Sequence, residues 1–361
     1  MIEHIFMFIL GLAALTLGAE LMVRGAAKLA LTFGISPLVV GLTIVAFGTS
    51  APEMAVSAGA ALSGSGDLAI GNIVGSNIAN VLLILGLSAL IVPLAVNEQI
   101  IRQEIPIMIG ASLLFLVLAL DGNISSMEGG LLFSLVIVYT VFLVVQSRRA
   151  SKAAEAEFAD EMPDTTSRWD AHWSVQMLLV LAGLGLLVLG ADWLVDAAVA
   201  VARMFGVSDL VIGLTVVAVG TSMPEIATSL VAAFRGQRDI AVGNVVGSNI
   251  FNVFACLGFA GLIADGGIVV SEAARNFDLW VMLAVAFACL PIVVTGREIA
   301  RWEGGLFIGY YVAYTLYLVL AAVQHTSLPT FSTVMLSYVL PLTVITLIVS
   351  FVRQNNSSQT S

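Results

Sequence analysis

Long apolar segments separated by short polar connections make up most of this chain of 361 residues. A helix needs about 20 apolar residues to cross the hydrocarbon core of a bilayer. Eleven segments are long enough, and we predict that each is a membrane-spanning helix. The predicted spans are residues 5–31, 36–62, 68–93, 104–120, 128–146, 174–205, 208–234, 240–264, 278–295, 303–323 and 332–352.

The composition agrees with this pattern, because 59% of the residues are hydrophobic and only 11% are charged, against about 25% charged residues in soluble domains. We therefore predict an all-α polytopic membrane protein whose main contact is the lipid bilayer. The sequence gives no sign of a nucleic-acid partner, an obligate protein partner or a cofactor. Cys256 and Cys289 lie in apolar segments, where we expect buried thiols rather than a disulfide.

The basic residues predict the orientation, because cytoplasmic connections are enriched in Lys and Arg. With the N-terminus outside, twelve of the fourteen basic residues fall on the cytoplasmic side, and only Arg203 and Arg275 fall outside. We expect a multi-pass protein of the inner (plasma) membrane with a cytoplasmic C-terminus. The connection 147–172 is polar and mixed in charge, and we expect a solvated cytoplasmic linker.

The chain contains an internal repeat, with residues 37–87 matching residues 209–259 at a constant offset of 172. Thirty of these 51 positions are identical, including GTSAPE at 48–53 and GTSMPE at 220–225. Five predicted spans separate the two halves, so the halves enter the membrane from opposite faces. We predict a first five-helix repeat at 1–146, a second at 173–323, and an extra helix with a tail at 324–361. Inverted repeats of this kind are typical of secondary transporters.

The repeated motif places polar chemistry inside apolar spans. Pro52 and Pro224 lack an N–H and clash with the carbonyl four residues earlier, so each helix is expected to break or kink there. Backbone groups freed in this way are tolerated only where they are buried in protein or line a polar cavity. The side chains beside the breaks all offer oxygen: Thr49, Ser50 and Glu53 in the first half, and Thr221, Ser222 and Glu225 in the second.

A second motif follows each break. Asn72, Ser76 and Asn80 are four residues apart and form one polar stripe on a helix. Gly71 and Gly75 beside them would let another backbone approach closely. The second half repeats the arrangement with Asn244, Ser248, Asn252, Gly243 and Gly247.

Carboxylate, hydroxyl and carbonyl oxygens suit Ca²⁺, Na⁺ or Mg²⁺ rather than soft metals. A carboxylate inside the membrane is costly and by default marks a functional site. The alternative for one copy is a proline kink with capping hydroxyls and a structural glutamate, but two copies in inverted halves favour an ion site. Glu20 and Asp192 are weaker candidates at matching positions of spans 1 and 6, and Arg24 at i+4 could neutralise Glu20.

In these motifs, GTSAPE with GNIVGSNIAN and GTSMPE with GNVVGSNIFN, the chain resembles the cation/calcium exchanger superfamily, which includes the sodium/calcium exchangers, and in particular its prokaryotic branch. The resemblance implies a ten-helix core of two inverted five-helix repeats, with spans 1 and 6 as a sliding pair. It also implies a set of ion ligands, with Ca²⁺ and Na⁺ as transported ions: Glu53, Glu225, Thr49, Ser50, Thr221, Ser222, Ser76, Ser248, Asn80, Asn252 and the carbonyls of Ala46 and Ala218.

The chain departs from the family pattern in two places. The eleventh span has no counterpart in the ten-helix plan, and the large cytoplasmic calcium-sensing insert of animal exchangers is missing. In potassium-dependent members an aspartate often stands at the end of the second motif, where this chain has Asn252.

The function that the sequence favours is exchange of Ca²⁺ for Na⁺ by a secondary active antiporter that is not an enzyme. A Ca²⁺/H⁺ antiporter is the nearest alternative, with Glu53 and Glu225 carrying the protons. A passive channel fits inverted repeats with buried glutamates less well. An intramembrane hydrolase would need a nucleophile–base pair or a basic phosphate site, and neither motif contains His, Lys or Arg.

Overall fold

The structure is a computed structural model that describes residues 2–160, 172–205, 218–294 and 296–346. Its helices are α1 (Ile2–Phe33), α2 (Pro37–Thr49), α3 (Ala51–Leu62), α4 (Gly66–Ile91), α5 (Ile100–Asp121), α6 (Ser126–Asp160), α7 (Trp173–Met204), α8 (Ala218–Thr221), α9 (Met223–Phe234), α10 (Arg238–Ile263), α11 (Ala274–Val294), α12 (Arg301–Ala322) and α13 (Leu328–Thr346). Four two-residue strands join them, namely β1 (Leu94–Ala95), β2 (Asn123–Ile124), β3 (Ile268–Val269) and β4 (Glu298–Ile299).

The helices confirm the predicted all-α membrane fold. Within the described residues, nine helices are long and apolar enough to cross a bilayer, and α2 with α3 makes a tenth span that bends by 45°. The predicted seventh span is described only as α8 and α9, and its residues 208–217 lie outside the described part of the chain. The helix α6 extends to Asp160, so the connection predicted as a linker begins as a continuation of the fifth span.

The strand pairing shows that the two halves are inverted. In each half one strand follows the third span (β1, β3) and the other precedes the fifth span (β2, β4). The antiparallel pairs are β1 with β4 and β2 with β3. The end of the third span therefore shares a membrane face with the start of the other half's fifth span. Halves inserted in the same direction would instead bring β1 and β3 to one face.

The helices α4 and α10 lie at the centre of the molecule, and each is covered by helices of the other half. The helix α6 packs on α10, and α12 packs on α4. As predicted for the small residues of the second motif, α10 approaches α2 closely: a Cβ at Gly247 would lie 2.8 Å from Leu42 O. Around Gly71 and Gly75 no described atom lies within 4 Å of such a Cβ, and residues 209–217, which correspond to part of α2, lie outside the described residues.

The helices α1 and α7 run antiparallel and contact each other along most of their length. Glycines lie where the two backbones approach closely, because a Cβ at Gly18 would lie 2.8 Å from Gly183 O and one at Gly11 would lie 2.8 Å from Gly190 O. Small residues let helix backbones pack directly in a membrane, where dispersion contacts replace the hydrophobic effect as the main source of association. This pair joins the first span of each half.

The extra helix α13 lies on the periphery. None of its residues is buried, and it contacts α12, where the Tyr310 hydroxyl donates to Thr343 Oγ1 at 2.6 Å. It therefore adds to the ten-helix core without entering it.

The contact between α1 and α7 predicts a position-specific effect of added methyl groups. Gly183→Ala would place its Cβ 2.6 Å from Gly18 O and Met22 N, and because both atoms belong to the backbone, the helices must separate. We expect the free energy of unfolding to fall by about 1–3 kcal/mol. The measurement is the melting temperature of the purified protein in detergent, which should be lower than that of the wild type. Gly185→Ala is the matched control on the same helix, since no described atom lies within 4 Å of that Cβ. Equal effects of the two changes would contradict a close contact of α7 with α1 at Gly183.

Candidate functional site

Both repeated motifs interrupt their helices, as the prolines predict. The break falls at Ser50 between α2 and α3, with φ −80° and ψ 5°, and at Ser222 between α8 and α9, with φ −87° and ψ 9°. Pro52 and Pro224 each occupy the first turn of the following helix, where a missing N–H leaves no hydrogen bond unmade. The serine hydroxyls and the glutamates therefore lie at helix ends in the interior of the protein.

The facing helices are also irregular at the corresponding places. A π-helical stretch begins at Asn80 in α4 and spans Asn80–Leu85, and another begins at Asn252 in α10 and spans Asn252–Leu257. Single π-helical turns within α-helices occur frequently at functional sites. The irregular backbone thus coincides with the last polar residue of each stripe.

The two glutamates are fully buried, and each accepts a hydrogen bond from a serine of the opposite half. Glu53 Oε1 accepts hydrogen bonds from Ser222 Oγ at 3.3 Å and from Ser76 Oγ at 3.5 Å. Glu225 Oε1 accepts one from Ser50 Oγ at 3.3 Å. The site consequently exists only where the two halves meet.

The first asparagine of each stripe donates a hydrogen bond to the backbone carbonyl of the glutamate in its own half. Asn72 Nδ2 donates to Glu53 O at 3.2 Å and to Ser57 Oγ at 3.0 Å. Asn244 Nδ2 makes the corresponding bonds to Glu225 O at 3.5 Å and to the Ser229 hydroxyl at 2.9 Å. These two amides therefore stabilise the glutamate-bearing helices.

The threonines and alanines named above lie at the same breaks. Thr49 Oγ1 donates to Asn244 Oδ1 at 3.2 Å and approaches Ala46 O at 3.4 Å. Ala46 O also accepts the N–H of Ser50 at 3.0 Å, so this carbonyl already takes part in the helix end. In the second half, Ala218 and Thr221 are the first and last residues of α8.

Four buried oxygens of residues in the repeated motifs have no hydrogen-bond partner among the described residues: Glu53 Oε2, Glu225 Oε2, Asn80 Oδ1 and Ser248 Oγ. Leaving a buried polar atom unsatisfied costs about 1–3 kcal/mol, and more when the group is charged. All four belong to residues that the motifs singled out. Oxygen atoms arranged in this way are suited to binding a cation.

Three residues at the site were missed by sequence reasoning. Asn77 and Asn249 are buried, and Asn80 Nδ2 and Asn252 Nδ2 donate to them. The sequence feature that could have identified them is the repeat, because Asn77 and Asn249 are identical residues at matching positions, 172 residues apart. Cys256 was correctly expected to be buried without a disulfide, but its Sγ also lies 3.7 Å from Ser50 O and 3.6 Å from Asn252 Oδ1.

Glu20, proposed above to be neutralised by Arg24, has a partner far away in the sequence. Arg235 directly after α9 donates to both of its carboxylate oxygens, at 2.6 and 2.9 Å. This ion pair joins α1 to the helix that carries Glu225. Asp192, the matching residue of the second half, is exposed.

Comparison with known proteins identifies the family. A family model described as sodium/calcium exchanger protein matches residues 3–145 and 175–320. The chain belongs to this family. It is therefore an integral membrane transporter, a cation/Ca²⁺ antiporter rather than an enzyme, and ions are its substrates.

Individual relatives agree with this assignment. The chain is 40% identical over 319 residues to a protein of Alkalimonas amylolytica named "Putative antiporter CaxA", with 87% of this chain and 98% of the relative covered. It is 33% identical over 345 residues to the sodium/calcium exchanger MaX1 of Methanosarcina acetivorans, with coverage of 87% and 98%. A solved structure of the sodium-calcium exchanger NCX_Mj, soaked with zero Na⁺ and Ca²⁺, superimposes with a TM-score of 0.73 at 31% identity, covering 86% of this chain and 96% of that one.

Proposed function

We propose that this exchanger transports Ca²⁺ in one direction and Na⁺ in the other by alternating access, through a site formed by Glu53 and Glu225. The observation that carries the proposal is the pair of buried carboxylates, each with one oxygen bonded to a serine of the opposite half and the other oxygen without a partner among the described residues. Two such carboxylates have a formal charge of −2. One Ca²⁺ or two Na⁺ would neutralise them.

The proposed ligands are oxygen atoms, which Ca²⁺ and Na⁺ prefer. Glu53 and Glu225 supply the charge, and Asn80 and Ser248 supply further oxygens that have no protein partner among the described residues. The full proposed set comprises Glu53, Glu225, Thr49, Ser50, Thr221, Ser222, Ser76, Ser248, Asn80 and Asn252, with the carbonyls of Ala46 and Ala218. The ions are cargo, and the proposed cycle needs no cofactor.

The inverted halves suggest how access alternates. We assign residues 1–146 and 173–323 to the two five-helix units, joined by the linker 147–172, with residues 324–361 as an addition. Ca²⁺ and Na⁺ compete for one pocket, and only occupied forms switch. The antiparallel pair α1 and α7 slides past the central helices and opens the site to one face at a time. Direct contact between glycine backbones leaves few side chains between these two helices.

Na⁺ is the proposed driving ion because MaX1 and NCX_Mj are named sodium/calcium exchangers. Exchange of Ca²⁺ for H⁺ is the second candidate, since complete burial of Glu53 and Glu225 would also suit carboxyl groups that carry protons. The deciding experiment is uptake of ⁴⁵Ca²⁺ into proteoliposomes under imposed Na⁺, K⁺ and H⁺ gradients. Uptake driven by a Na⁺ gradient at equal pH on both sides supports the first candidate. Uptake that requires a pH gradient and ignores Na⁺ supports the second.

The first prediction concerns the two carboxylates. Glu53→Gln and Glu225→Gln keep the side-chain shape but remove one of the two negative charges, so each should reduce Ca²⁺ uptake at least 100-fold, since a pair of unit charges at about 4 Å is worth about 4 kcal/mol at an effective dielectric constant of 20. Glu98→Gln is the control, because this glutamate is half exposed at the surface in ion pairs with Arg102 and Arg297. Near wild-type uptake by a folded Glu53→Gln or Glu225→Gln variant would contradict the assigned site.

The second prediction concerns orientation. We propose that the N-terminus is outside and that the 147–172 linker is cytoplasmic, because twelve of fourteen basic residues then face the cytoplasm. Single cysteines at Ser151 and Ser327 are introduced into a variant without Cys256 and Cys289. An impermeant thiol reagent applied to intact cells should label the cysteine at 327 and spare the one at 151, and the parent variant shows the background. The reverse pattern would overturn the orientation.

The third prediction concerns K⁺. Asn252 ends the second motif without a charge, and the two motifs contain no third carboxylate. A unit charge at about 4 Å is worth about 4 kcal/mol at an effective dielectric constant of 20, so this site lacks the simplest means of holding a further monovalent cation beside Ca²⁺. Na⁺-driven Ca²⁺ uptake should therefore be unchanged when choline replaces K⁺ on the Ca²⁺ side at constant Na⁺. A collapse of the rate on this replacement would show that K⁺ is required.

A further inference from the structure

Four buried asparagines form two crossed pairs between α4 and α10. Asn80 Nδ2 donates to Asn249 Oδ1 at 3.1 Å, and Asn252 Nδ2 donates to Asn77 Oδ1 at 3.0 Å. Each side chain is at most 3% exposed. The two pairs correspond at the repeat offset of 172, so each half orients an amide of the other half.

The hydrogen-bond acceptors around Asn77 and Asn249 determine which end of each amide, oxygen or NH₂, faces the paired asparagine. Asn77 Nδ2 donates to the backbone carbonyl of Asn249 at 3.4 Å and to the Met282 sulfur at 3.6 Å. Asn249 Nδ2 donates to the Met108 sulfur at 3.3 Å. Carbonyl oxygens and thioether sulfurs accept hydrogen bonds and cannot donate them. Asn77 and Asn249 must therefore present their oxygens to Asn252 and Asn80, and these two must present their NH₂ groups in return.

This orientation determines where the amide oxygens of Asn80 and Asn252 lie. The NH₂ group of Asn80 is occupied, so its Oδ1 is the end left without a partner among the described residues. Asn80 lies one helical turn after Ser76, which bonds to Glu53. Asn252 Oδ1 lies on the side of Cys256, whose sulfur also approaches Ser50 O at the helix break. The stripe that Asn80 shares with Ser76 and the contact of Cys256 with Ser50 O thus place both asparagines beside the proposed ion site.

We propose that Asn77 and Asn249 are positioning residues that hold the amides of Asn252 and Asn80 with oxygen, and not NH₂, directed at the transported cation. The inference rests on the proposed function, because it assigns these residues a role at that ion site. A primary amide has nearly the same shape in its two orientations, but a reversed amide would present partial positive charge to the cation. Partners behind metal ligands typically change metal affinity 10–100-fold when they are removed.

The two halves differ in one respect that bears on the proposal. Cys256, a weak donor, contacts Asn252 Oδ1, whereas the corresponding residue of the first half is Ile84, which has no donor. Among the described residues, Asn249 is therefore the one partner that orients the Asn80 amide. We accordingly expect the larger effect from loss of Asn249.

The test is a pair of double-mutant cycles on Ca²⁺ binding, measured by ⁴⁵Ca²⁺ equilibrium binding to the purified full-length protein in detergent. Asn249→Ala should weaken Ca²⁺ binding by about 10-fold or more. In the Asn80→Ala background, Asn249→Ala should cause little further loss, because the residue through which it acts is gone. In the Asn252→Ala background its effect should remain at full size. A general structural role would instead give additive losses in both backgrounds.

The outcomes separate this inference from the proposed function. Size-exclusion profiles and melting temperatures without Ca²⁺ establish that each variant is folded. If Asn249→Ala does not fold, Asn77→Ala provides the same test, with Asn252→Ala as the coupled background and Asn80→Ala as the uncoupled one. Unchanged Ca²⁺ affinity, or additive losses in the coupled background, would overturn the positioning role and leave the ion site intact. Absence of Ca²⁺ binding to the wild-type protein would refute the proposed function, and this inference with it.

Discussion

The burial of Glu53 and Glu225 between the two halves is the constraint on which the rest of the structure depends. Removing a carboxylate from water costs several kcal/mol even after the protein relaxes, and across the interface each of these groups accepts a hydrogen bond from a serine hydroxyl. A cation between them would offset much of this cost. Since each glutamate accepts a hydrogen bond from a serine of the opposite half, neither half can form this arrangement alone.

This arrangement requires helices that are irregular inside the membrane. A continuous α-helix satisfies all its backbone groups and presents no helix end in the interior, so the chain breaks at Ser50 and Ser222. The prolines fit the first turns of the helices that follow the breaks. Asn72 and Asn244 donate hydrogen bonds to the backbone carbonyls of the two glutamates. The π-helical turns at Asn80 and Asn252 are the corresponding irregularities of the facing helices. Such backbone is tolerated at membrane depth because protein surrounds it.

The two halves correspond to each other in sequence but are not identical. Cys256 contacts the site where the first half has Ile84. Arg235 bonds to Glu20 and so connects α1 to α9, whereas the residue at the corresponding position of the first half is Ser63. In the proposed alternating-access cycle, perfect inverted symmetry would give the states open to either face equal energy. Differences of this kind allow one state to be preferred over the other.

The sequence by itself determined the membrane fold, the inversion and the residues at the helix breaks. The hydrocarbon thickness dictates span length, an odd number of spans between repeats dictates opposite insertion, and the ring of Pro52 or Pro224 interrupts a helix in any context. Each of these consequences is local, or depends only on counting along the chain.

Contacts between the halves were decided only by the tertiary structure. The pairing of Ser222 with Glu53, the Glu20–Arg235 ion pair and the orienting role proposed for Asn249 join residues that are 169 or more positions apart. Helical periodicity shows which residues share one helix face, but it does not show which face of another helix lies opposite. That choice follows from the tertiary packing, in which α10 approaches α2 at Gly247 and brings Asn249 against Asn80 of α4.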